Sequence, residues 1–189
     1  MKNAKALEPI CSEWLNASSP VELKNLQGKV VVIFAFQMLC PGCVSHCIPQ
    51  AKRLYEMTDQ NQLAVLGLHT VFEHHEAMRP DALKAFLSEY QIFFPVGIDR
   101  QREDHHIPET MAEYQMQGTP TTIVIDRQGK LQLNRFGLID DIALGAVIGG
   151  LLTEKRDQTV APAQNQKPQG CEIRTRSNEP TLNIKGEMK

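Results

Sequence analysis

The chain of 189 residues has little of what marks a specialised surface. Neither charge sign dominates: the net charge is −2, so nothing at whole-chain level points to a nucleic-acid partner. Aromatic residues are 6% of the total, and none interleaves the basic residues near the end of the chain. No apolar run approaches the roughly 20 residues of a membrane helix. The opening residues, Met1-Lys2-Asn3-Ala4-Lys5, lack the apolar segment of a signal peptide. A cytoplasmic location and no membrane partner are therefore expected. There are five cysteines, three of them within eight residues. That is no disulfide framework; in a reducing compartment such clustering signals redox or metal chemistry. Internal repeats are missing as well.

What the chain does have is 42% hydrophobic residues, enough for one compact domain with sequence left over. Residues 1–154 carry 13 basic against 18 acidic side chains, and residues 155–189 carry 7 against 4. Residues 155–170 turn to Gln, Pro, Lys and Ala, a linker-like composition. The expected division is a domain over 1–154, a linker over 155–170 and a C-terminal extension over 171–189. Within that extension, the alternation in Cys171–Arg176 and Thr181–Lys185 predicts a small hairpin.

The organising stretch is Gln37-Met38-Leu39-Cys40-Pro41-Gly42-Cys43-Val44-Ser45-His46-Cys47. It follows the apolar run Val30–Phe36, which has the length and composition of a buried strand. A helical pattern over 41–57 comes after it, with Pro49 expected to kink the helix. A Cys-x-x-Cys at that junction sets its first sulfur beside unpaired N–H groups, where the helix dipole favours thiolate over thiol. The second cysteine, one turn on, is placed to attack a mixed disulfide formed at the first.

Elsewhere the pattern predicts an entry segment over 1–28 and a second buried strand over Leu63–His69, parallel to the first. An amphipathic helix over 81–90, a short strand over 94–99 and a short helix over 108–114 should follow. A strand entered through Gly118-Thr119-Pro120-Thr121-Thr122 then turns at 127–130 into an antiparallel return strand over 131–136. The last helix should cover 140–152, capped by Asp140 or Asp141.

At Cys40-Pro41-Gly42-Cys43 and Gly118-Thr119-Pro120-Thr121-Thr122, over roughly Leu23 to Leu152, the chain resembles the thioredoxin superfamily. Within it the chain is similar to the TlpA/ResA-type thiol–disulfide oxidoreductases and the related redoxin domains. The resemblance implies an α/β fold: a thioredoxin-like three-layer α/β/α sandwich with a mixed sheet. A helix is inserted after the first β-α-β unit, and here a C-terminal extension follows. It further implies an enzyme with Cys40 as nucleophile and Cys43 as resolving thiol. The Thr119–Pro120 bond should be cis and face the dithiol, so that Thr119, Pro120, Pro41 and Gly42 bind substrate. No cofactor and no resident metal are implied. The partners would be a protein or small-molecule disulfide and an unidentified electron donor.

Three positions depart from the family pattern. Leu39 stands where thioredoxin has tryptophan, and Phe34 where it has a buried aspartate. His46 stands where the TlpA/ResA type often has glutamate, and its imidazole can move the Cys43 proton near neutral pH. Two other functions compete. A peroxiredoxin-like thiol peroxidase would use Cys43 or Cys40 as its peroxidatic cysteine. However, the Pro-x-x-x-Thr-x-x-Cys pattern fails on both, with Ile33 and Gln37 before Cys40, and Phe36 and Cys40 before Cys43. A metal- or copper-handling module would use Cys40, Cys43, Cys47 and a histidine. Cys47 otherwise reads as a small buried hydrophobe, Cys11 and Cys171 have no local motif, and His74-His75 and His105-His106 read as loop residues.

Overall fold

Seven residues of β-branched, aliphatic and aromatic character with no polar interruption make a strand that must be covered on both faces. In the computed structural model, which describes residues 3–103 and 105–154, that strand is the centre of the sheet. The chain divides into two units, Met1–Arg156 and Asp157–Lys189. The linker and hairpin expected over 155–189 lie outside the described residues.

The strands are β1 (Cys11–Leu15), β2 (Val30–Phe36), β3 (Leu63–His69), β4 (Val96–Asp99), β5 (Thr121–Ile125) and β6 (Leu131–Phe136). They form one mixed sheet in the order β1-β4-β3-β2-β5-β6. β2 pairs parallel with β3 and antiparallel with β5, and every residue of β2 is buried. The helices are α1 (Ile48–Met57), α2 (Pro80–Glu89), α3 (Glu109–Glu113) and α4 (Asp141–Thr153). Val30, Val32, Phe34 and Phe36 pack with residues of α1, α2 and α4 in one core. Val31, Ile33 and Ala35 turn the other way, towards Met111 and Tyr114 around α3. Alternation along one strand thus builds both layers of the expected three-layer sandwich.

Two local findings refine the expected elements. Pro49 has no N–H to give the Ser45 carbonyl, and its ring presses on that carbonyl. The chain widens instead of breaking: Cys43–Cys47 is one π turn, closed by the Ile48 N–H on the Cys43 oxygen, and α1 continues from it. The segment 1–28 also holds more than an entry path, because Cys11–Leu15 is an edge strand antiparallel to β4. Its five residues alternate too briefly to announce a strand; pairing with β4 supplies what local pattern does not.

That pairing depends on Gly97. A Cβ there would lie 2.5 Å from Cys11 Sγ and 3.2 Å from the Trp14 ring. Gly97→Ala should cost about 1–3 kcal/mol through overpacking and lower the melting temperature by several degrees. A thermal melt matching the parent's would show that β1 is not held in this way.

Candidate active site

β2 ends at Phe36, and the next residue, Gln37, begins the loop that carries the dithiol. The Cys40 N–H donates to the Gln37 carbonyl at 3.2 Å, which turns the chain into the helix. Cys40 is partly exposed at the start of that helix, whereas Cys43 is completely buried and Cys47 nearly so. The Cys43 N–H donates to Cys40 Sγ at 3.3 Å, so a backbone donor is aimed at the expected nucleophile.

Across from the dithiol the Thr119–Pro120 peptide is cis. Cys40 Sγ lies 3.5 Å from the Thr119 carbonyl oxygen. A Cβ placed on Gly42 would touch Pro120 Cδ at 3.6 Å and Leu138 Cδ2 at 3.9 Å. Cys40, Cys43, Pro41, Gly42, Thr119 and Pro120 therefore share one site, although their numbers fall into two groups far apart in sequence. Apolar side chains lie exposed along the same loops: Leu39, Phe136 and Leu138 are each about half exposed.

The two thiols differ because their surroundings differ. Burial, reinforced by the neighbouring Cys40 sulfur, pushes the Cys43 thiol up to about 12, against contacts from the Gln37 backbone and the Thr119 hydroxyl. Phe34, in the same core as Cys43, offers it no proton acceptor. Burial raises Cys47 further, with the sulfurs of Cys43 and Cys40 adding to the effect. It also holds Cys11 at about 12, helped by the Asp99 charge. Iodoacetamide at pH 7.5 should accordingly modify Cys40 first among the four cysteines of the described residues. Peptide mapping that finds Cys43 or Cys11 labelled before Cys40 would overturn this ordering.

His46 is exposed on the first turns of the helix. The Ser45 hydroxyl donates to the Pro41 carbonyl at 2.7 Å and meets His46 Nδ1 at 2.6 Å. A hydroxyl has one proton, and with it given to the Pro41 carbonyl the hydrogen of the second contact sits on Nδ1. His46 and Cys47 line a cleft of about 490 Å³ that also meets Gln50, Arg53, Pro120 and Leu138. Its far rim is the start of α4, where Asp140 caps the helix by accepting from the Ile142 and Ala143 N–H groups. Gln50 and Arg53 bind Asp141 there and hold its carboxyl below the usual range.

Sequence reasoning had missed Gln37 as part of this site. It is 1% exposed, its Nε2 reaches Thr119 Oγ1 at 3.5 Å, and its Oε1 has no partner. The available signal was a lone polar residue directly after an apolar strand. His74, His75, His105 and His106 are exposed, His75 as the first residue of a short 3-10 helix, His75–Ala77. Among the described residues no group of three or more His, Cys, Asp or Glu is arranged to hold a metal ion. No helix among them is long and apolar enough to cross a membrane.

A central parallel β-α-β unit, a dithiol at its strand-to-helix junction and a cis-proline facing it define a thioredoxin-like domain of the TlpA/ResA redoxin type, an oxidoreductase class. The model of the AhpC/TSA family matches residues 8–134, and the chain belongs to that family. The crystal structure of a thioredoxin-like superfamily protein is 52% identical over 80% of this chain and 97% of its own, with a TM-score of 0.78. That of a thiol-disulfide isomerase from Corynebacterium glutamicum is 48% identical over 81% of this chain and 99% of its own, also at 0.78. The thiol-disulfide oxidoreductase ResA of Bacillus thuringiensis is 28% identical over 112 residues, 59% of this chain and 57% of ResA. The chain spans between 16% and 57% of the length of the curated relatives it matches.

Proposed function

We propose that this chain is a thiol–disulfide oxidoreductase in which Cys40 attacks a protein or small-molecule disulfide and Cys43 resolves the mixed disulfide. The observation that carries the reading is the asymmetry of the dithiol: Cys40 is reachable, Cys43 is sealed, and the Thr119 carbonyl lies 3.5 Å from the reachable sulfur. An extended substrate pairs with the backbone at Thr119 and rests on Pro120, Pro41 and Gly42. The Cys40 thiolate bonds to one substrate sulfur and the other leaves with the electron pair. The Cys43 sulfur then attacks Cys40, the second substrate sulfur leaves, and substrate is reduced while the protein becomes the Cys40–Cys43 disulfide. An electron donor returns two electrons and two protons. His46 lines the cleft beside the dithiol and takes up the proton that Cys43 releases as it attacks.

A peroxidase reading is favoured by the family match alone. The sealed Cys43 and its poor acidity weigh against Cys43 as a peroxidatic thiol. The test is trapping. Cys43→Ser, expressed in its own cell extract, should retain substrates on Cys40 as adducts that dithiothreitol releases and mass spectrometry identifies. An extract that yields no dithiothreitol-sensitive adduct, with rapid peroxide consumption by the parent protein, would sink the oxidoreductase reading in favour of the peroxidase.

A further inference from the structure

A cleft of about 490 Å³ runs from the cis-proline to the start of α4, between the dithiol helix and the loop that follows β6. Its near end adjoins the dithiol. A Cβ on Gly42 would meet Pro120 at 3.6 Å and Leu138 at 3.9 Å, and the carbonyl just before Pro120 lies 3.5 Å from Cys40 Sγ. Pro49, Pro120, Leu138 and Ile139 make apolar walls, and Leu138 is half exposed. The far end is polar and tied together. The Gln50 amide donates to the Ile139 carbonyl at 3.0 Å and to Asp141 at 2.7 Å, and Arg53 donates to Asp141 at 2.9 Å. These bonds join α1 to the start of α4 and fix the width of the cleft before any substrate arrives. They also set its charge. Arg53 and Asp141 match each other, which leaves Asp140 unmatched among the carboxylates and the guanidinium that line the cleft. Asp140 Oδ1 accepts from the Ile142 and Ala143 N–H groups, and no described residue donates to Oδ2.

An apolar trough that ends at a carboxylate suits a side chain with an aliphatic stem and a cationic head. A glutamate side chain would meet two carboxylates for one guanidinium. The acidic surplus of residues 1–154, 18 side chains against 13 basic, draws a basic partner in the same sense. We propose that the cleft is a specificity subsite for a polypeptide disulfide with a lysine or arginine about two residues from its reacting cysteine. The stem lies on Pro120 and Leu138, and the cation meets Asp140. The inference rests on the dithiol reading above and narrows its substrate class. Reach is satisfied, because Asp140 is two residues beyond Leu138, which borders Gly42, and an extended chain covers about 3.4 Å per residue. The Cys40 thiolate bonds to the peptide sulfur, and the other substrate thiol leaves with the electron pair. Cys43 then bonds to Cys40, and the peptide thiolate leaves with the electron pair and takes up a proton. The subsite touches none of the reacting atoms, so it acts on capture of the peptide and not on the exchange steps.

The test uses the reduced full chain and short peptides whose single cysteine is activated as a pyridyl disulfide. The peptides carry lysine, norleucine, glutamate or glycine two residues from that cysteine. Release of thiopyridone gives the rate constant of capture, and ratios between peptides cancel the intrinsic reactivity of the thiol in each protein. At pH 7.5 and low salt the lysine peptide should react about threefold to fivefold faster than the norleucine peptide, and the glutamate peptide more slowly than both. Salt at about 0.5 M should shrink that ratio. Asp140→Asn should bring it close to one with the melting temperature kept, because asparagine caps a helix as well as aspartate does. Glu13→Gln removes the same charge from β1, at the opposite edge of the sheet from β6, and should keep the ratio. Leu138→Ser should slow the lysine and norleucine peptides alike, relative to the glycine peptide. Equal rates for lysine and norleucine in the parent, or glutamate ahead of norleucine, would overturn the proposal. A lysine preference that survives Asp140→Asn, or falls as far in Glu13→Gln, would assign it to the charge of the whole domain and overturn the subsite too. Failure of the underlying dithiol reading looks different: no peptide would be captured on Cys40, and the parent would form no Cys40–Cys43 disulfide.

Discussion

Cys40→Ser is expected to lower disulfide-reductase turnover by more than about a thousandfold, since it removes the only one of the four described thiols that is both reachable and placed against the Thr119 carbonyl. Cys43→Ser should be as inactive in turnover for a different reason. Its first attack should proceed at nearly the parent rate, and the reaction should stop at one equivalent of mixed disulfide. The contrast follows from position in the helix. Cys40 sits at the start, with the Cys43 N–H pointing at its sulfur; Cys43 sits inside the π turn, completely buried. His46→Ala should fall between these extremes, slowing turnover by about tenfold while leaving the one-equivalent first attack intact. The discriminating measurement is rapid-mixing kinetics with a chromogenic disulfide, followed by mass spectrometry of the intact protein. If Cys40→Ser kept substantial turnover through Cys43, Cys47 or Cys171, the assignment of the nucleophile would fail.

The second large effect concerns stability and acid. His69 ends β3, 1% exposed, its ring tilted against Phe36 at 5.4 Å, and its Nε2 has no partner. Burial pushes it down from 6.5 to about 4. The unfolded chain therefore takes up a proton at this site in a range where the folded chain does not. Its contribution is fully present above pH 6.5 and is lost as pH falls through the window from 6.5 to 4. The loss amounts to about 3 kcal/mol, a large share of the stability of an ordinary domain. Asp99, in the neighbouring strand, works the other way: burial raises its carboxyl despite its bonds from Thr110, Thr70 and Met111. Subtracting a His69→Gln series from the parent removes that opposing part. Urea unfolding at several pH values should show the parent losing about 3 kcal/mol more than the variant between neutral pH and pH 4. Parallel curves for the two proteins would mean that His69 titrates in the native state as it does in the unfolded chain.

Much of the architecture was legible because it rests on uninterrupted local patterns. The Val30–Phe36 run, the Leu63–His69 strand and the Leu131–Phe136 return strand lie where the alternation and apolar runs put them. Gly118-Thr119-Pro120 entered its strand through the cis bond that the resemblance implied. β1 was missed because an edge strand of five residues carries too little pattern to stand out from an irregular segment. Asp99 read as the end of a strand, and only the fold shows its carboxylate binding the Thr110 and Met111 N–H groups at the start of α3.

The sequence by itself determined that a Cys-x-x-Cys stands between a buried strand and a helix, with its thiol chemistry on the helix's first turn. Spacing along the chain is enough for that, since residues three and four apart in a helix must lie on one side. It also determined that neither an aspartate at position 34 nor a tryptophan at position 39 assists the dithiol. What stands around the dithiol instead was decided by tertiary structure alone. The Gln37 amide meets Thr119 across 82 positions of sequence, and the cleft beside His46 is closed by loops that follow β6. Burial, which sets Cys43 and His69 so far from their ordinary acidities, is a property of packed layers. No local stretch of sequence contains it, because the atoms that exclude water from each group come from strands and helices distant in the chain.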